Sequence, residues 1–251
     1  MKSTALMLIV LLLSASLFAQ KPYRGGEVYS KGKVLYGKFE MRMKMIKGSG
    51  MLSTFYTIEH NSRTSDYWGE IDIEVLGKSE AQIMSTNIFF NGENGVLNHS
   101  EQQIPLDYSL ADDFHVFTLE WTPDYIAWFI DGAELRRKTG DVVKHMNVPQ
   151  EYRFNAWISS TPAWVGVIDE SAMPAYQYVD WVEYSRYDEV TQKFIKQWRD
   201  DFNGFNPLRW KKGNWTFDGN EVDFIEENVY VENGHLVLVI TDPKATSSLP
   251  K

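Results

Sequence analysis

WGEIDIEVLG, Trp68–Gly77, alternates in chemical character along its length. Glu70, Asp72 and Glu74 fall in one phase, and Ile71, Ile73 and Val75 in the other. Residues i, i+2 and i+4 share one face of a β-strand, so three carboxylates point together and the aliphatic set points the other way. A slip of one residue would exchange the two sets, so burial of the aliphatic set pins the register. Trp68 is in phase with the acids. The pattern alone leaves three readings open: carboxylates gathered for catalysis, a solvent face, and a cation site.

Similar short segments recur. GKFEMRMKM sets Phe39, Met41, Met43 and Met45 against Lys38, Glu40, Arg42 and Lys44. FHVFTLEWT, YIAWFIDG and VDWVEYSRY have strand composition. ENVYVENGHLVLVI is a hairpin pattern turning at Asn233-Gly234, and IDGAEL carries a second turn signal. DEVTQKFIKQWRDDF fits either a helix, with Val190, Phe194 and Trp198 on one face, or a linker into a strand. Few long helical patterns occur, so the expected class is an all-β sandwich or barrel.

The chain has 251 residues, no cysteine and a formal charge of −9. A nucleic-acid binder carries a basic field instead. Residues 1–19 have the n-region, apolar core and small-residue end of a secretory signal peptide, with cleavage expected near Ala19. The apolar run is shorter than the roughly 20 residues of a spanning helix, so no membrane association is expected after cleavage. Without disulfides, an exported chain rests on its core, and a bound metal is the other means of support. The expected domain is 20–244, with 245–251 a flexible tail. Nine Trp, thirteen Tyr and fourteen Phe are present. Trp68, Trp157, Trp164 and Trp215 lie in polar, turn-rich company, as do aromatic platforms for sugar rings. His60 and His99, in loop-like stretches, are further candidates for ligand contact.

Two carboxyl groups across a glycosidic bond suffice to hydrolyse it. One donates a proton to the leaving oxygen while the other attacks the anomeric carbon or activates water. A separation of about 5–5.5 Å retains configuration, and about 6.5–9.5 Å inverts it. On a flat strand, Cα atoms four residues apart lie roughly 13 Å apart, so Glu70 and Glu74 would have to lean together over Asp72.

EIDIEVLGK resembles the catalytic strand of glycoside hydrolase family 16. YGKFEMRMK, FHVFTLEWTPDYIAWFIDG, YRFNAWISSTPAWVG and YVDWVEYSRY resemble blocks of its β-1,3-1,4-glucanase (lichenase) branch. RWKKGNWTFDGNEVDFIEENVYVENGHLVLVIT resembles a segment that normally precedes the catalytic strand, and here it follows. The order is similar to that of the circularly permuted lichenases, with the former N-terminal segment at about 198–241. The resemblance runs from about Gly25 to Thr241. It implies a β-jelly roll of two curved antiparallel sheets with a concave substrate groove. It further implies a secreted, monomeric endo-β-glucanase that cuts β-1,4 bonds next to β-1,3 bonds in mixed-linkage β-glucans with retention.

Carried over by position, Glu70 is the implied nucleophile, Glu74 the acid/base and Asp72 the assisting carboxylate. The implied groove residues are Trp68, Arg153, Asn155, Trp157 and Trp164, with Glu27, Tyr56, Asn87 and Trp215 as further candidates. No cofactor is implied for catalysis. A structural Ca²⁺ is implied on the convex side, at Asp180, Asp201 and the Gly234 carbonyl. Two departures bear on substrate choice. Ser85 stands where Gln is usual, with Asn87 retained, and Ile58 stands where Tyr is usual. STFY is similar to the xyloglucan-active branch. A laminarinase, a xyloglucan-active enzyme and a non-catalytic carbohydrate-binding protein are therefore the alternatives.

Overall fold

The computed structural model describes residues 20–60, 67–92 and 95–244, with the side chain of His60 excluded. The expected signal peptide, the tail 245–251 and the suggested role of His60 all lie outside the described residues.

Two sheets stack face to face. The first carries the acids. Its order is β14 (Trp210–Lys212), β1 (Tyr23–Ser30), β11 (Glu151–Ile158), β3 (Met51–His60), β4 (Trp68–Leu76), β5 (Ile83–Asn91) and β6 (Leu97–His99). β7 (Gln102–Pro105) also pairs with β5, and β15 (Val222–Phe224) runs parallel to the start of β1. The second sheet has the order β10 (Ala133–Thr139), β9 (Tyr125–Ile130), β8 (His115–Trp121), β2 (Gly37–Lys44), β12 (Ala175–Asp188), β17 (His235–Ile240) and β16 (Val229–Glu232). β13 (Lys193–Asp200) pairs with the far half of β12. This is the expected all-β jelly roll.

The core forms where the aliphatic phases meet. Ile71, Ile73 and Val75 of β4 are fully buried, as are Met41 and Met43 of β2. Burial of three such side chains is worth roughly 5–9 kcal/mol. Two ionised carboxylates two residues apart, about 6.6 Å along a strand, repel by roughly 2–3 kcal/mol at a near-surface dielectric. Core burial therefore outweighs the repulsion, and β4 keeps its register with the acids facing out of the core.

The Asn233-Gly234 turn lies between the paired Glu232 and His235, with φ of 51° and 76°. Asp131-Gly132 does the same between Ile130 and Ala133, with φ of 50° and 83°. Positive φ at both central residues matches the right-handed twist of the flanking strands. The segment with a possible helical face is a strand. In β13, Phe194, Lys196 and Trp198 pair with Tyr187, Ser185 and Tyr184 of β12. Arg209 lies 3.7 Å over the Trp198 ring.

The C-terminal segment is integral to the fold. β14 and β15 extend the first sheet, and β16 and β17 extend the second. The two ends of the described domain pair, with Arg24 N–H donating to Thr241 O (2.9 Å) and Thr241 N–H to Arg24 O (2.9 Å). Gly26 permits the close approach, because a Cβ there would lie 2.3 Å from Asn228 O. Gly26→Ala should lower stability by about 1–3 kcal/mol in urea unfolding, the cost of overpacking. Gly32→Ala, where a Cβ meets nothing within 4 Å, should leave it near wild type.

Candidate active site

Cross-strand register sorts the outward face of the first sheet into three rows. Glu27, Asn155, Thr54, Glu74 and Ser85 form one. Tyr29, Arg153, Tyr56, Asp72 and Asn87 form the next. Glu151, Ile58, Glu70, Phe89 and His99 form the third. Antiparallel pairing thus gathers residues distant in sequence across six strands, with β4 near the middle.

The three acids differ in their surroundings. Glu70 and Glu74 keep part of their surface open, whereas Asp72 between them is buried at 3% exposure. Trp68 Nε1–H donates to Glu70 Oε2 (2.7 Å). Asp72 holds its proton and donates it to Glu70. Burial raises the Glu70 pKa, and these two donors and Arg153 oppose the rise. Asp72 is pushed well above the usual carboxylate range by burial and by the charges of Glu70 and Glu74. Glu74 is pushed up to about 8 by burial, then by Glu70 and Glu101. Two donors favour the ionised form of Glu70 against the effect of burial, while Glu74 keeps a proton near neutral pH. Trp128 of the opposite sheet fixes the backbone below, its Nε1–H donating to Asp72 O (2.9 Å).

Glu27 lies beneath the groove wall with no exposed surface. Its Oε1 accepts from Trp215 Nε1 (2.6 Å) and an Arg153 guanidinium nitrogen (3.3 Å), and its Oε2 accepts from Tyr56 O–H (3.0 Å). Burial raises its pKa, with Arg153 the main opposing influence. With both oxygens engaged, Glu27 orders Arg153, Tyr56 and Trp215. Trp215 is 40% exposed, and with Tyr29, Tyr56, Ile58, Glu151 and Arg153 it lines a cavity of about 460 Å³. Trp157 Nε1–H donates to Thr54 Oγ1 (3.0 Å), and its ring lies 6.0 Å from Trp164 and 5.4 Å from Phe217. Trp164 projects from the helical turn Pro162–Val165. Asn87 is nearly buried opposite Asp72.

Three buried polar atoms in this region have no hydrogen-bond partner: Arg153 Nε, Asn155 Oδ1 and Trp164 Nε1. Sequence reasoning missed Phe89, Phe217 and Glu101. Phe89 is in register with Glu70, so its place in β5 is a usable signal once the β4–β5 pairing is known. Phe217 follows Trp215 by two residues in a segment outside the strands, and the two rings lie 5.6 Å apart.

The expected Ca²⁺ ligands are otherwise engaged. Asp180 pairs with Arg42 (2.6 Å) and Asp201 with Arg199 (2.7 Å). Gly234 occupies its hairpin turn. No group of three or more His, Cys, Asp or Glu among the described residues is placed to hold a metal ion. Each of the two carboxylates is paired with an arginine, and a structural Ca²⁺ is not shown.

Comparison with known proteins gives the family. The chain is 40% identical over 227 residues to a β-glucanase of Fibrobacter succinogenes, covering 88% of this chain and 64% of that protein. It is 33% identical over 165 residues to a β-glucanase of Brevibacillus brevis, covering 65% of this chain and 61% of that one. It thus spans less than two-thirds of the length of either relative. The β-glucanase of Bacillus licheniformis superimposes with a TM-score of 0.54 at 29% identity, over 63% of this chain and 70% of that one. A lichenase from a mouse hindgut metagenome gives 0.52 at 27%, over 64% and 78%. The model of the glycosyl hydrolases family 16 matches residues 9–183, and with the 40% identity to the Fibrobacter protein it establishes that the chain belongs to that family.

Proposed function

We propose that the protein is a secreted endo-β-glucanase that hydrolyses β-1,4 bonds adjacent to β-1,3 bonds in mixed-linkage glucans, with retention of configuration. The observation that carries this reading is the unequal treatment of the acids: Glu70 receives two hydrogen bonds and Glu74 retains its proton. A solvent face has no such division of labour. The unpaired Arg153 Nε, Asn155 Oδ1 and Trp164 Nε1 support a polar, hydroxyl-rich ligand in the groove. The lichenase similarity supports the mixed-linkage choice. Export is supported by the signal-peptide pattern of residues 1–19, and no described helix is long and apolar enough to cross a membrane.

In the first step, Glu70 attacks the anomeric carbon as Glu74 gives its proton to the departing glycosidic oxygen. The C–O bond breaks and a glycosyl ester forms on Glu70. In the second, Glu74, now a carboxylate, takes a proton from water. The water oxygen attacks the same carbon and releases Glu70. Asp72, hydrogen-bonded to Glu70, keeps the nucleophile oriented and disperses its charge. Trp157, Trp164 and Trp215 offer ring faces to glucose units. The mechanism uses no cation. A structural Ca²⁺ at Asp180 and Asp201 would have to displace Arg42 and Arg199.

The reading includes a circular permutation and a single-chain, monomeric enzyme. The permutation is supported by the late position of the block from about 198 to 241 and by the Arg24–Thr241 pairing of the two ends. Adjacent surface ends are what a permuted domain requires.

Reducing-sugar release should be greatest from lichenan, weaker from laminarin and xyloglucan, and absent in Glu70→Gln. Preference for laminarin or xyloglucan would transfer specificity to Ser85 and Ile58. Tight binding with no release would make the protein a lectin. For the acid, the alkaline limb of kcat/KM should fall near pH 8, where Glu74 loses its proton. Glu74→Gln should lower kcat by roughly 10²–10⁴ on substrates with poor leaving groups. Asp72→Asn should raise thermal stability. A carboxyl whose folded pKa is raised costs stability as pH rises above its unfolded value of about 3.9, and the amide removes that cost while keeping a donor to Glu70. The gain should be absent near pH 3 and grow as the pH rises toward 7 in calorimetry.

A further inference from the structure

Ser85, the residue that departs from the family pattern, stands directly opposite Glu74 in the β4–β5 ladder. Its hydroxyl donates to Glu101 Oε1 (3.2 Å), and Gln103 Nε2 donates to the same oxygen (3.4 Å). Gln103 is itself in register with Ser85. Glu101 therefore sits between β6 and β7, tied to the lip of the groove beside the acid. Its backbone is anchored from below. Arg136, buried on β10, donates to Ser100 O (2.7 Å) and Ser100 Oγ (2.9 Å), and to Thr86 O and Oγ1 (2.7 Å each). One guanidinium thus joins β5 to the residue preceding Glu101.

The charged groups around Glu74 are few. On its own strand are Asp72, which is protonated, and Glu70. Across β3 and β11 it faces neutral Thr54 and Asn155, with Arg153 in the next row toward Glu70. Beyond Asn155 in the same row lies Glu27, whose charge is engaged by Arg153. Across β5, past neutral Ser85, stands Glu101. Arg136 is hydrogen-bonded to Thr86 and Ser100 and feels the charge of Glu101. We infer that Glu101, held by Ser85 and Gln103, is a positioning residue for the reaction, a fourth carboxylate whose charge keeps the proton on Glu74 between turnovers. The carboxylate rise at Glu74 includes Glu101 among its causes, after burial and Glu70. Ser85 is short enough to leave room for Glu101 at the lip and polar enough to hold it there.

The inference rests on the glucanase reading, and the two can fail separately. Glu101 is exposed, so Glu101→Gln should fold normally. Its alkaline limb of kcat/KM on lichenan should move to lower pH by about 0.2–0.7 units, the size of a solvent-facing charge effect. The acid limb, governed by Glu70, should stay in place. The displacement should shrink in 1 M salt, where the screening length is about 3 Å. Ser85→Ala, which frees the Glu101 side chain, should give a smaller displacement of the same sign. The carboxyl-carbon NMR titration of Glu74, recorded without substrate, should move in parallel. Coincident limbs and coincident titrations in wild type and Glu101→Gln would overturn the positioning role. If wild type hydrolysed no glucan, the titration alone would decide it: displaced, Glu101 acts on Glu74 and the glucanase reading falls; coincident, both fall.

Discussion

The structure depends on a strand that cannot turn over. Ile71, Ile73 and Val75 hold β4 in the core strongly enough that the carboxylates on its other face must settle among themselves. They do so by sharing protons. Asp72, the most enclosed, holds one and lends it to Glu70, and Glu74 holds another. A hydrophobic constraint on one side of the backbone thereby creates a difference in acidity on the other. Without that register lock, the acids would relieve their repulsion by moving apart, and the difference would vanish.

The second organising element is the buried carboxylate of Glu27. It sits three strands from Glu74 in the same row and gathers an arginine, a tyrosine and a tryptophan around itself. Trp215 comes from the C-terminal segment and Tyr56 from β3, so one charge stitches late sequence to early sequence under the groove wall. The desolvation of Glu27 is offset by three direct hydrogen bonds, one from a cation. Removing any donor would leave a buried charge short of a partner, which is costly in a low-dielectric setting. The groove wall and the C-terminal segment are in this sense one construction.

Much of this was legible in the sequence. Period-2 alternation located β2 and β4, and Asn233-Gly234 and Asp131-Gly132 located two hairpins, because these signals are local and backbone-determined. That Glu70, Asp72 and Glu74 share one face was legible for the same reason, while the pattern alone left catalysis, a solvent face and a cation site open. β13 was ambiguous because its half-exposed residues carry no clean alternation, and its conformation is set by pairing to β12. Glu27 looked like a sugar ligand because a sequence does not reveal that both carboxylate oxygens are occupied. Asp180 and Asp201 suggested a cation site because their arginine partners, Arg42 and Arg199, are recognisable as partners only once the strands are placed. Glu101 gave no signal, since its place beside Glu74 depends on a three-strand register.

The joined ends carry a mechanical consequence. Arg24 and Thr241 face each other in a single isolated antiparallel bridge, so a tension applied through the residues flanking it would pull that bridge open transversely. Its two hydrogen bonds would bear the load together, with no ladder behind them to share it. A domain tethered on both sides of this bridge would therefore yield there at low force. The β4 ladder, paired on both sides by β3 and β5, would be loaded only after that bridge had opened.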